Sequence, residues 1–154
     1  MDQARAEAFG DRMVETLNAG SLALMTSIGH RTGLLDTMAG LTPSTSQQIA
    51  DTSGMNERYV REWLGAMVAA RVIEYQPDDG KYSLPEEHAA FLTRDAAPDN
   101  VAAFLQYIPL LGSVEDSIIE CFKNGGGVPY AEFPRFQEVM AEDSGQTVVP
   151  ALLS

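Results

Sequence analysis

Thr45-Ser46-Gln47-Gln48-Ile49-Ala50-Asp51-Thr52-Ser53-Gly54-Met55-Asn56-Glu57-Arg58-Tyr59-Val60-Arg61-Glu62-Trp63-Leu64 is the stretch whose reading decides the fold. Thr45 with Gln48, or Ser44 with Gln47, has the spacing of a capping box. A short helix is therefore predicted over 47–52, with Ile49 and Ala50 facing inward. Ser53-Gly54-Met55-Asn56 is a tight turn, with Gly54 placed to take a left-handed conformation. Asn56 caps a second helix, predicted over 57–71. On it Tyr59, Val60, Trp63, Leu64, Met67 and Val68 are predicted to share one face, with Arg58, Arg61, Glu62 and Gly65 on the other. Residues 72–76 then form a strand, Pro77-Asp78-Asp79-Gly80 a turn, and 81–84 the returning strand. Helix, turn, helix and hairpin in this order make a winged helix-turn-helix over 41–92.

Upstream, residues 3–30 are predicted as helix. Phe9, Met13, Leu17, Leu22, Leu24, Met25 and Ile28 recur at spacings suited to one, and Asn18-Ala19-Gly20 predicts a kink or a break. After Leu22 the apolar coverage runs almost all the way round, which calls for burial on more than one side. Phe9, Met13, Leu24 and Met25 are the candidates for a face covered by a second copy. Residues 33–39 make a short helix closed by Gly40. Downstream, 85–92 is a short closing helix and 93–100 a polar loop containing Pro98. Helices are predicted over 101–111, 114–122 and 132–141, with a further one starting at Gln146 and still in mid-pattern at Ser154. Asn124 to Pro129, with three glycines, is a flexible loop. The fold class is mainly α: a winged helix-turn-helix with a two-stranded wing, flanked by N- and C-terminal helices.

Charge speaks against nucleic acid. The chain has 154 residues, 22 of them acidic and 10 basic, for a formal net charge of −12. Residues 41–92 hold eight acidic and four basic side chains. The second helix sits where a recognition helix would, and Arg58 and Arg61 could reach phosphate or guanine. The wing tip, however, carries Asp78 and Asp79, and Glu57 and Glu62 flank the arginines. Non-specific affinity comes mostly from phosphate neutralisation by roughly 6–10 contacts, which this module does not supply. No apolar run approaches the ~20 residues of a membrane span, and the acidic N-terminus is wrong for a signal peptide. The single cysteine, Cys121, excludes an internal disulfide, fits a reducing cytoplasm and is expected as a small packed hydrophobe.

Few residues carry the marks of chemistry. Gly125-Gly126-Gly127 follows no strand and matches no phosphate-binding pattern. His30 and His88, with Cys121, make no metal-ligand spacing. His30 is either a structural cap or a pocket residue, and His88 a surface or packing residue. Tyr107, Tyr130, Phe133, Phe136 and Met140 either pack in a core or form the wall of an apolar pocket completed by something outside this chain.

The segment 45–64 is similar to a recurrent segment of S-adenosylmethionine-dependent methyltransferases that carry an N-terminal winged helix ahead of a class I Rossmann-like catalytic domain. The likeness takes in Gly29-His30-Arg31-Thr32-Gly33-Leu34-Leu35-Asp36, the wing with Tyr82 to Ala89, Gly126 to Tyr130, and Pro134 to Ser144. It implies that residues 1–40 are a helical dimerisation segment, that the winged helix over 41–92 is a scaffold with little DNA affinity, and that 93–154 form a helical lid leading to a catalytic domain. It implies a homodimer, and a small apolar or aromatic substrate near His30, Tyr107, Tyr130, Phe133, Phe136 and Met140. The family's glycine motif for S-adenosylmethionine is absent from residues 1–154. The cofactor is thus implied for a longer parent and no cofactor residue is assigned here, and the mid-pattern ending points to truncation. The expected role is a dimerisation and substrate-cover module that does not methylate alone. The alternative is a winged-helix transcriptional regulator.

Overall fold

A computed structural model describes residues 1–153, with side chains placed through Val148 and at Leu152. Helix α1, Gln3–Arg31, is one continuous helix. No break occurs at Asn18-Ala19-Gly20, because a helical glycine weakens a helix by about 1 kcal/mol without removing a hydrogen bond. Asp2 caps its start by accepting from the Arg5 N–H. Gly33, at φ +73°, turns the chain into α2, Leu34–Ala39.

The decisive stretch folds as the sequence predicts. Helix α3 spans Ser46–Ser53, and Thr45 with Gln48 closes a reciprocal capping box. The alternative start, at Ser44, is excluded: Ser44 pairs instead with Tyr82 of the wing. Gly54 takes φ +69°. Helix α4 spans Glu57–Ala69 and is capped by the Asn56 side chain. It stops short of 71 because Arg71 adopts φ +60°, outside helical geometry. The wing pairs β1, Glu74–Gln76, with β2, Lys81–Ser83, antiparallel. The pairing is shorter than predicted, since Val72 and Ile73 lie in the turn that leads out of α4. Helix α5, Glu86–Leu92, closes the unit.

The core sits where α1, α2, α3 and α4 meet. Leu34, Leu35, Met38, Ile49, Val60, Trp63, Leu64, Met67 and Ile73 are buried there. Tyr59, expected on the inward face, is 73% exposed. At 100° per residue it lies about 40° beyond Trp63, outside the edge of the buried arc. Trp63 Nε1 donates to the Met25 carbonyl at 2.8 Å and ties α4 to α1.

Beyond the wing the predicted 101–111 helix divides into α6, Val101–Leu105, and α7, Tyr107–Gly112. Pro109 explains the break: it has no N–H, and its ring would meet the Leu105 carbonyl of a continuous helix. Helix α8, Glu115–Asn124, buries none of its side chains, and Cys121 there is half-buried rather than enclosed. Gly125 and Gly126 take positive φ values in the loop that follows. Tyr130–Glu132 is a single 3₁₀ turn. The two helices predicted over 132–141 and from 146 are one helix, α9, Phe136–Leu153. Ser154 lies outside the described residues.

Candidate functional site

Two surfaces compete as the working face. The first is the outward side of α4 with the wing. Arg61 is drawn to Glu57 at 3.6 Å, and Glu57 also accepts from Ser46 Oγ at 2.7 Å. Lys81 is held by Asp79 at 2.9 Å. Two of the module's four cations are thus neutralised by neighbouring carboxylates. Such compensation leaves fewer free cations for a phosphate backbone.

The second surface lies at the C-terminal end. A cleft of about 550 Å³ is lined by Tyr130, Phe133, Arg135 and Phe136. The ring centroids of Tyr130 and Phe136 are 5.1 Å apart, and those of Phe133 and Phe136 6.0 Å. These separations suit favourable tilted aromatic pairs. Arg135, at φ +60°, turns the chain sharply into α9 and so brings both phenylalanines to one side. Tyr107 stands beside this group, donating to Asp143 at 3.0 Å, with Met140 sulfur 3.1 Å from its hydroxyl. Burial first, then the hydrogen bond and charge of Asp143, raise the Tyr107 phenol above its ordinary value, so it stays a donor. The structure therefore gathers Tyr130, Phe133 and Phe136 at one cleft, while Tyr107 and Met140 touch each other one turn further along α9 and do not line it.

His30 is not on that wall. It is wholly buried at the end of α1, and its Nε2 meets Glu142 at 2.7 Å. Glu142 also accepts from Gln106 Nε2 at 2.7 Å and stands 3.7 Å from the Arg94 guanidinium. Arg94 in turn pairs with Asp36 and donates to the His30 carbonyl at 3.0 Å, which also accepts from the Gly33 N–H at 3.1 Å. Gln106 Oε1 accepts from Arg135 at 3.0 Å. Burial pushes the Glu142 carboxyl up, but the hydrogen bonds from Gln106 and His30 and the charges of His30 and Arg94 outweigh it and hold the group below the usual glutamate value. Sequence reasoning missed Glu142, Gln106, Arg94 and Arg135, because their partners are tens of residues away. His88 is a packing residue, its Nδ1 2.8 Å from the Val72 carbonyl.

The dimer-face candidates divide. Phe9, Met13 and Leu24 are exposed on α1, whereas Met25 packs against the core and lines a shallow groove with Ser21, Leu22, Ala66 and Ala70. Val14, Leu17 and Ile28 are exposed as well. At 100° per residue, Phe9, Met13, Leu17, Leu24 and Ile28 fall within about one third of the helix circumference, a continuous stripe some ~28 Å long. Among the described residues no cluster of His, Cys, Asp and Glu could hold a metal, and no helix is long and apolar enough to cross a membrane.

Residues 20–94 match the model of the Rv2258c-like winged HTH domain. No curated protein matches the chain in sequence. Solved structures match it in fold. A dimethyltransferase of N,N-8-amino-8-demethyl-D-riboflavin from Streptomyces davawensis superposes with a TM-score of 0.70 at 17% identity, over 94% of this chain and 45% of that one. The mitomycin 7-O-methyltransferase superposes at 0.67 and 16% identity, over 96% and 47%. Human N-acetylserotonin methyltransferase, solved in complex with SAM, gives 0.64 and 16%, over 95% and 43%. The chain therefore spans less than half the length of these structures. At such identities the likeness shows a shared fold: a mainly helical winged helix-turn-helix with its flanking helices.

Proposed function

We propose that this chain is the dimerisation and substrate-cover module of a S-adenosylmethionine-dependent small-molecule methyltransferase, and that it does not methylate by itself. The observation that carries the reading is the stripe on α1. Its apolar side chains stay exposed in the single chain: α1 packs on the core only from about Leu22 onward, and the turns before it, with Phe9, Met13 and Leu17, stand clear of it. A helix with two apolar sides is built to hold two bodies together. The winged helix then serves as the rigid platform, the 1–40 segment as the pairing element, and 93–154 as the cover. The aromatic cleft of Tyr130, Phe133 and Phe136, flanked by Tyr107 and Met140, presents flat apolar surface of the kind that encloses small ligands. The structural matches support the same reading, since the superposed proteins carry methyltransferase names. S-adenosylmethionine would be bound by a catalytic part outside residues 1–154.

The regulator reading differs in what it needs from α4 and the wing. It requires free cations there, and carboxylates occupy two of the four. A labelled duplex titrated with the chain at about 150 mM salt separates the two readings. No shift is expected up to tens of micromolar, whereas a shift at low micromolar concentration would favour a regulator. Pairing is tested by cysteine cross-linking in a Cys121→Ser background. Leu17→Cys is expected to give disulfide-linked pairs on mild oxidation and Glu87→Cys none. Equal yields from both would contradict a specific α1 interface.

A further inference from the structure

The segment that joins α8 to α9 opens on the glycine run 125–127, where Gly125 at φ +73° and Gly126 at φ +101° hold backbone shapes open to few other residues. Its far end is Arg135, a non-glycine residue at φ +60°. Such a conformation costs about 1–3 kcal/mol and persists only where the surroundings over-determine it. Here they do. The guanidinium makes two bonds to Glu138, at 3.0 and 2.8 Å, and one to Gln106 Oε1 at 3.0 Å. Gln106 passes the contact on to Glu142, and Glu142 to the buried His30.

We infer that Arg135, Gln106, Glu142 and His30 form one polar relay that locks the aromatic segment 130–136 and helix α9 onto the end of α1 and the α6–α7 junction, so that the two move as a single lid about the glycine run. Three features carry this. Val139 is the one apolar side chain of α9 that is buried among the described residues, so the helix is held mainly by polar bonds. The central group must be a carboxylate, because donors from His30, Gln106 and Arg94 converge on it, and an amide would turn a donor toward Gln106. The relay also starts on the residue that sets the rings of Phe133 and Phe136 and ends on the most buried residue of α1. That the lid covers a pocket rests on the proposed function, but the lock itself does not depend on it.

Hydrogen exchange read by mass spectrometry, without any ligand, tests the lock. Arg135→Asn keeps a residue tolerant of positive φ but removes the guanidinium, and Glu142→Gln breaks the centre. Each is expected to speed exchange over 128–148 on the order of tenfold, as befits lost charge-assisted bonds, while peptides from 46–69 stay unchanged. The double variant is expected to exchange no faster than the faster single one, because one relay can be broken only once. Unchanged exchange in both single variants would overturn the inference, and so would rates that multiply in the double variant. Acceleration reaching 46–69 equally in Arg135→Asn, whose bonds all lie outside the winged helix, would overturn it too. Loss of cross-linking at Leu17→Cys would instead strike the proposed function and leave the lock standing.

Discussion

Gly29 and Trp63 show how narrowly single residues are constrained. A Cβ on Gly29 would stand 2.5 Å from Trp63 Cζ2 and 3.2 Å from Leu35 Cγ, so α1 and α4 can approach this closely only through glycine. Gly29→Ala is expected to destabilise the fold by about 1–3 kcal/mol, the usual cost of overpacking, measured by urea denaturation. Glu142 is legible only in three dimensions, because His30 lies 112 positions away in sequence and no local pattern links them. What the sequence does offer is the end of an apolar helix at which a histidine sits, and that leaves cap and pocket both open. The groups that face Glu142 are His30 from α1, Arg94 with its partner Asp36, and Gln106 between α6 and α7. Its carboxyl titrates below the usual range in the fold, so its contribution is complete above the unfolded value and is lost as pH falls through the folded one. Wild type should therefore exceed Glu142→Gln in stability by about 1–3 kcal/mol near neutrality, and the gap should close on acidification. A gap that widened in acid would contradict this sign.

The elements divide by how local their causes are. The capping box of Thr45 and Gln48, the Gly54 turn and the Asn56 cap are all set by residues within four positions of one another, and each stands as read. Thr45→Ala should cost about 1 kcal/mol and leave α4 intact, a pairing that thermal denaturation followed by helical circular dichroism would show. Periodicity placed Tyr59 inside because it tolerates an arc wider than the space α1 and the wing leave for α4. The break between α6 and α7 has a local cause in Pro109, while the continuity of α9 through Gly145 cannot be read from propensity alone. The cleft follows the same division. Its aromatic residues could be named from composition and spacing, but their gathering depends on the left-handed turn at Arg135, which no residue preference announces.

At the scale of the whole molecule, the account turns on the two sides of α1. One side closes the core through Ala23, Thr26 and His30, and the other presents Phe9, Met13, Leu17, Leu24 and Ile28 to solvent. Charge composition disfavours a DNA role, and the local neutralisation of Arg61 and Lys81 agrees with it. The most direct test of the pairing module is sedimentation velocity of the chain and of its Met13→Asp/Leu17→Asp variant at tens of micromolar. The account predicts a dimer for the wild type and a folded monomer for the variant, whose substitutions touch none of the core. A wild type that sediments as a monomer, or a variant that still pairs, would contradict it.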